Sequence, residues 1–236
     1  MIHNRDPLAA RLTAVHERIH AAEQRFGRAP DSVALLAVSK TRSADEVRAC
    51  AALGQRRFGE NYLQEALGKI AQLAELPVEW HFIGPIQSNK CRDIAAHFDW
   101  VHSVDRLKIA RLLSDHRPAS SAPLNICIQV NISGEASKSG CAPEELPALA
   151  AAVAALPNLR LRGLMAIPAP ATGIEEQRAP LHQLHGAFNL LVNLGYPLDT
   201  LSMGMSDDLE AAIAEGSTMV RIGTALFGPR SYPQAG

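Results

Sequence analysis

The sequence lacks an excess of either charge: 23 lysines and arginines stand against 24 aspartates and glutamates in 236 residues. A near-neutral chain has no field to draw a nucleic acid or an anionic membrane surface, although a small anion can still find a specific site. Cysteine is sparse. Cys50, Cys91, Cys127 and Cys141 form no CxxC pair and have no histidine at zinc-ligand spacing, so neither a disulfide scaffold nor a zinc site is indicated, and a reducing cytosol fits best. No apolar run is long enough to span a bilayer, and the N-terminal stretch MIHNRDPLAARL is polar and partly acidic. A soluble, unprocessed cytoplasmic protein is expected.

A low-complexity linker is also missing. The nearest candidate, HRPASSAP around Ser120, reads as a helix-to-strand loop. Residues 1–236 are therefore expected to form one domain, long enough to bury a large α/β core.

What does recur is an alternation of short apolar, β-branched runs with longer stretches of helical periodicity, the pattern of a parallel sheet with crossover helices. The first run is Val33–Ser39, followed by a helix over ADEVRACAAL that Ser43 can cap. A brief second strand lies around Arg57 and Phe58. The later ones are Val78–Gly84, Asp99–Val104, Asn125–Ile132, Leu159–Ile167, Leu198–Gly204 and Ser217–Gly223. Eight such units, preceded by an amphipathic helix from about Pro7 to Phe26, predict an α/β fold with a single (β/α)8 TIM-type barrel. A doubly wound open sheet also alternates, but the count of eight favours the barrel.

Active sites of such barrels form at the strand C-termini, so the polar residues where each apolar run ends are the candidates. Strand one ends at Lys40, strand two at Glu60 and Asn61, strand seven in Ser202 to Ser206, and strand eight at Arg221, Gly223 and Thr224. A strand-end lysine is ordinarily just the first solvated residue. Here the dry run before Lys40 carries its amine toward the mouth, which favours the neutral form that condenses with an aldehyde. The loops after strands seven and eight are where these barrels bind phosphate. Gly204 and Ser206 lie in one of them, and Gly223 and Thr224 can offer backbone amides in the other, at the start of a short helix. Arg221 shares the inward face of Gly223. A buried guanidinium needs a partner, and a pyridine nitrogen or the Glu60 carboxylate are both candidates.

Other polar residues read more plainly. His16 with His20, and His182 with His185, have metal-compatible spacing but no accompanying carboxylate pattern, so solvated helix faces and no metal are expected. His81 reads as a hydrogen-bonded core or rim histidine. Asp207 and Asp208 suit a helix N-terminus.

The motifs AVSKTRS, FGENYLQEA, WHFIGPIQSNK, VNISGEASKSG, GLMAI and LSMGMSDDLEAAIAEGSTMVRIGTALFG, in that order over nearly the whole chain, resemble the YggS/PROSC family of pyridoxal phosphate homeostasis proteins. The resemblance implies a barrel similar to the N-terminal domain of alanine racemase, with pyridoxal 5'-phosphate held as a Schiff base on Lys40. It implies that Ser206, Gly223 and Thr224 hold the phosphate, that Arg221 faces the pyridine nitrogen, and that Asn61 lies beside the ring. Lys138 belongs to the family pattern without an assigned role.

An arginine beside the pyridine nitrogen keeps that nitrogen unprotonated and weakens the cofactor as an electron sink. Racemases of similar barrel type use a second domain and a tyrosine from a partner subunit, whereas this chain ends at Gly236, eleven residues past Ala225. The expectation is a carrier that buffers pyridoxal phosphate and passes it on to pyridoxal-phosphate-dependent apoenzymes, with no nucleic-acid or membrane partner. The alternative is an enzyme, either an amino-acid racemase using the cofactor or an aldolase using Lys40 on its substrate. With no obvious apolar patch beyond the helices, a monomer is expected.

Overall fold

Parallel pairing runs from the first strand round to the eighth and back to the first, closing an eight-stranded barrel. The computed structural model describes residues 7–135 and 139–229; Lys138 lies outside them. The strands are β1 (Ala34–Val38), β2 (Arg57–Glu60), β3 (Glu79–Phe82), β4 (Trp100–Val104), β5 (Leu124–Gln129), β6 (Leu159–Met165), β7 (Thr200–Ser202) and β8 (Met219–Ile222). The helices are α1 (Pro7–Arg25), α2 (Ala44–Ala52), α3 (Leu63–Gln72), α4 (Cys91–His97), α5 (Leu107–His116), α6 (Leu146–Ala154), α7 (Ile174–Asn193), α8 (Leu209–Ala214) and α9 (Thr224–Phe227).

Local chemistry sets several of these boundaries. Ser43 caps α2 in a reciprocal box: its hydroxyl accepts from the Glu46 amide at 3.2 Å, and the Glu46 carboxylate accepts from the Ser43 amide at 2.8 Å. β5 stops at Gln129, three residues short of the expected Ile132; just beyond it Val130 still donates its amide to the Met165 carbonyl and forms an isolated bridge with Cys141. α1 buries Leu8, Leu12, Val15, Ile19 and Ala22 along one stripe, packed against α8 and α9.

Alternation along the strands sorts side chains into two layers. Val220 and Ile222 of β8, Leu201 of β7, Trp80 and Phe82 of β3 and Phe58 of β2 face the helices and belong to the main core. Arg221, Ser202 and His81 alternate with them and face the barrel axis. Glu60 shares the face of Phe58 and points at the helix layer. For that reason it does not pair with Arg221, and the ion pair considered between them does not form.

Candidate functional site at the barrel mouth

Lys40, Asn61, Ser206, Arg221, Gly223 and Thr224 all line one cavity of about 670 Å3, together with Arg18, Ile83, Ile167 and Met205. The strand ends bring these residues together from distant parts of the sequence.

Lys40 stands two residues past β1 and is half-buried. The chain on both sides of it is clamped. The Ser39 hydroxyl donates to Glu60 Oε1 at 2.5 Å, and the Ser39 carbonyl accepts from Lys69 Nζ at 2.7 Å. The Thr41 amide donates to Glu65 Oε1 at 2.6 Å. Thr41 has φ +64°, a left-handed conformation that a β-branched residue adopts only under constraint. Lys69 ties the clamp together by donating to Glu60 and Glu65, each at 2.6 Å. Burial pushes the Glu60 carboxyl up, against the pull of Lys69.

Asn61 is held by a close backbone crossing. A Cβ at Gly84 would lie 2.2 Å from the Asn61 carbonyl oxygen, so only glycine lets the two loops meet. Asn61 Oδ1 is buried with no hydrogen-bond partner among the described residues, a position that a ligand donor satisfies.

Arg221 is buried, 4 % exposed. Its Nη1 donates to the Ser202 carbonyl at 2.6 Å and to Ser202 Oγ at 2.9 Å, and its Nη2 donates to the Ala166 carbonyl at 2.9 Å. No carboxylate bonds it among the described residues. Burial lowers its pKa to about 10, with Asp208 opposing from a distance; it remains a cation at neutral pH.

In the loop after β7, Gly204 takes φ +99°, and a Cβ there would meet Ala212 Cβ at 2.5 Å. Its glycine thus serves tight packing under the loop. Asp208, and not Ser206, stands at the N-cap of α8; its carboxylate accepts from the Met205 amide at 2.6 Å. Burial pushes the Asp208 carboxyl up. Arg18, which sequence patterns do not single out, reaches in from α1, donating to the Ser206 carbonyl at 3.1 Å and to Glu210 at 2.9 Å. Gly223 has an ordinary φ of −113°, and a Cβ there would meet nothing closer than the Val38 oxygen at 3.4 Å. The fold does not demand glycine at 223; its bareness leaves the amide edge at the start of α9 open to the cavity.

The arrangement fits a planar ring with an anionic group at one end. Arg18, Ser206 and the amides of Gly223 and Thr224 gather where an anion would sit. Lys40, Asn61 and Arg221 are placed around the rest, against apolar Ile83, Ile167 and Met205.

The histidine pairs lie elsewhere, with His20 and His182 on solvated faces as expected, although each of these two also meets a carboxylate. His20 pairs with Asp31 at 3.3 Å and His182 with Glu215 at 2.8 Å. Among the described residues no cluster of three potential ligands gathers for a metal, and no helix is long and apolar enough to cross a membrane. His81 is a hydrogen-bonded core residue, joined to His102 and Glu79.

Residues 11–231 match the family described as alanine racemase, N-terminal domain. The chain is 66 % identical over 225 residues to the pyridoxal phosphate homeostasis protein of Pseudomonas aeruginosa, covering 95 % of this chain and 96 % of that one. It is 57 % identical to the protein of the same name in Escherichia coli K12, covering 95 % and 97 %. Among solved structures, PipY of Synechococcus elongatus with PLP bound superposes at a TM-score of 0.82, with 37 % identity, over 94 % of this chain and all of that one. Alanine racemase from Corynebacterium glutamicum, 20 % identical, shares the fold at a TM-score of 0.66 over 91 % of this chain and 60 % of its own. The chain belongs to the YggS/PROSC family of pyridoxal phosphate homeostasis proteins, built on the alanine racemase N-terminal fold.

Proposed function

We propose that the protein binds pyridoxal 5'-phosphate through Lys40 and holds it for intracellular homeostasis, with residues 1–236 acting as one cytoplasmic, monomeric unit. The observation that carries this reading is the convergence of a strand-end lysine, a buried arginine and two anion-ready loops on one cavity. The relation to PipY, solved with PLP bound, supports it.

When bound, the group supplies an aldehyde that condenses with a primary amine and releases water. In this reading Lys40 provides the amine, and the Ser39 and Thr41 clamp keeps it at the mouth. Ser206, Gly223 and Thr224 bind the phosphate, helped by the charge of Arg18. Asn61 lies beside the ring, where its buried Oδ1 accepts from a ligand donor. Arg221 keeps its proton and faces the pyridine nitrogen as a donor, so that nitrogen stays unprotonated. Holding is thereby favoured over carbanion chemistry, and recipients are apoenzymes that use the same cofactor. Ile167 and Met205 are exposed at the mouth, where a recipient can approach.

The test is spectroscopic. The protein loaded with pyridoxal phosphate and then freed of unbound ligand is yellow, and Lys40→Ala treated in the same way is colourless. A yellow protein that interconverts amino-acid enantiomers at ordinary enzyme rates, and loses this with Lys40→Ala, overturns the carrier reading.

A further inference from the structure

A line of polar side chains runs down the barrel axis below the mouth. Arg221 Nη1 meets Ser202 Oγ at 2.9 Å, and Ser202 Oγ meets His102 Nδ1 at 2.8 Å. His102 Nε2 meets His81 Nδ1 at 2.8 Å, and His81 Nε2 meets Glu79 Oε1 at 2.9 Å. Ser202, His102 and His81 are buried, whereas the Glu79 side chain is 39 % exposed and is held from outside by Arg57 at 3.3 Å. The lower end opens on a second cavity, of about 620 Å3, lined by Glu79, Trp100 and Arg162. The column therefore links the two ends of the barrel.

Its proton order follows from its ends. A guanidinium only donates, and an ionised carboxylate only accepts. Glu79 must accept from His81 Nε2–H. Burial keeps both rings neutral, so His81 Nδ1 is bare and accepts from His102 Nε2–H. His102 Nδ1 is then bare as well and accepts from the Ser202 hydroxyl. Ser202 Oγ retains a lone pair for Arg221. Every bond points the same way, from the cation at the mouth to the carboxylate at the far end, and aligned hydrogen bonds polarise one another.

We propose that Ser202, His102, His81 and Glu79 form a positioning relay for Arg221, a one-directional hydrogen-bonded column that answers its buried charge from the opposite end of the barrel. A carboxylate placed against Arg221 would draw the guanidinium to itself. The relay instead anchors one edge through Nη1, while Nη2 also holds the Ala166 carbonyl. Nε–H and the second Nη2–H make no hydrogen bond among the described residues and remain for a ligand. The inference rests on the reading that Arg221 faces the pyridine nitrogen. Glu79 is a positioning residue in it, since it touches neither the mouth cavity nor anything bound there.

Nitrogen NMR tests the relay in two steps. In cofactor-free protein labelled with nitrogen-15 at histidine, His81 and His102 should each show a protonated Nε2 and a bare Nδ1. A protonated Nδ1 on either ring, alone or in an imidazolium, overturns the column. The second step uses pyridoxal phosphate labelled at the pyridine nitrogen, bound to the wild type, Glu79→Gln and Arg221→Lys. Glu79→Gln should move the pyridine signal in the same direction as Arg221→Lys and raise the dissociation constant about two- to tenfold. A signal moved by Arg221→Lys but not by Glu79→Gln defeats the relay alone. A signal unmoved by Arg221→Lys defeats the underlying assignment of Arg221. Glu79 is half-exposed at the barrel rim, so its substitution leaves the packed core in place.

Discussion

The Lys69 ammonium lies 2.6 Å from the Glu60 carboxylate, and the two side chains are 4 % and 0 % exposed. Neither lines the mouth cavity, yet both bond Ser39, the residue before Lys40. A charge buried this far from water is tolerable only while its partner remains. Replacing Lys69 with methionine strands the carboxylate and should cost about 3–5 kcal/mol. Lys69→Met combined with Glu60→Gln should recover part of that loss. Urea denaturation of the wild type, both single variants and the double variant measures it; additive single losses would show that the pair is not coupled.

Arg18 should distinguish phosphorylated from unphosphorylated ligand. It stands beside Ser206 and is shared with Glu210, so its charge is only partly available to an anion. Arg18→Gln should weaken pyridoxal phosphate binding about tenfold and leave pyridoxal binding nearly unchanged. Titration followed by absorbance compares the two, and an equal loss for both ligands would place Arg18 in the fold's support instead.

Acid should destabilise the fold through the axial histidines. Burial holds His81 below its ordinary pKa, and His102 well below. Each ring therefore binds fewer protons folded than unfolded. Their contribution is complete above the unfolded pKa of about 6.5 and is lost as the pH falls below it, by up to about 1.4 kcal/mol per pH unit for each ring. Urea midpoints should be nearly level from about pH 7.5 to about pH 6.5 and fall from there to about pH 5.5. A flat or rising profile would mean that the rings are not held neutral.

The thiols should be silent in the folded protein. All four cysteines are buried and unpaired. Burial raises Cys50 to about 11 and Cys141 to about 12, and shifts Cys91 and Cys127 upward as well. Because the thiolate is the reactive form, a disulfide reagent at about pH 8 should titrate four thiols in denaturant and none promptly without it. Prompt reaction of any thiol would contradict the burial.

The barrel was legible in the sequence because parallel strands buried on both faces read as apolar runs, and eight recur with helices between them. The mouth residues were legible because strand ends point at the site: Lys40, Asn61 and Gly223 each follow a run, and Arg221 lies within β8 two residues before Gly223. Arg18 was not, since its place on α1 looks like any polar position beside a buried stripe, and its approach to Ser206 depends on how α1 docks. Lys69 was hidden for a similar reason. An i,i+4 partner of Glu65 on a helix ordinarily belongs to a solvated face, and only the inward turn of α3 buries it. The mistaken Arg221–Glu60 option came from nearness at the mouth. Strand alternation separates them, with Phe58 and Glu60 on one face of β2 and Arg221 on the axial face of β8.

The most direct measurement is borohydride reduction of the protein loaded with pyridoxal phosphate, followed by peptide mass analysis. The account predicts the reduced cofactor's mass on the peptide containing Lys40 and on no other lysine peptide, and none in Lys40→Ala. A protein that traps no cofactor mass, or carries it on Lys69 or Lys90, would contradict it.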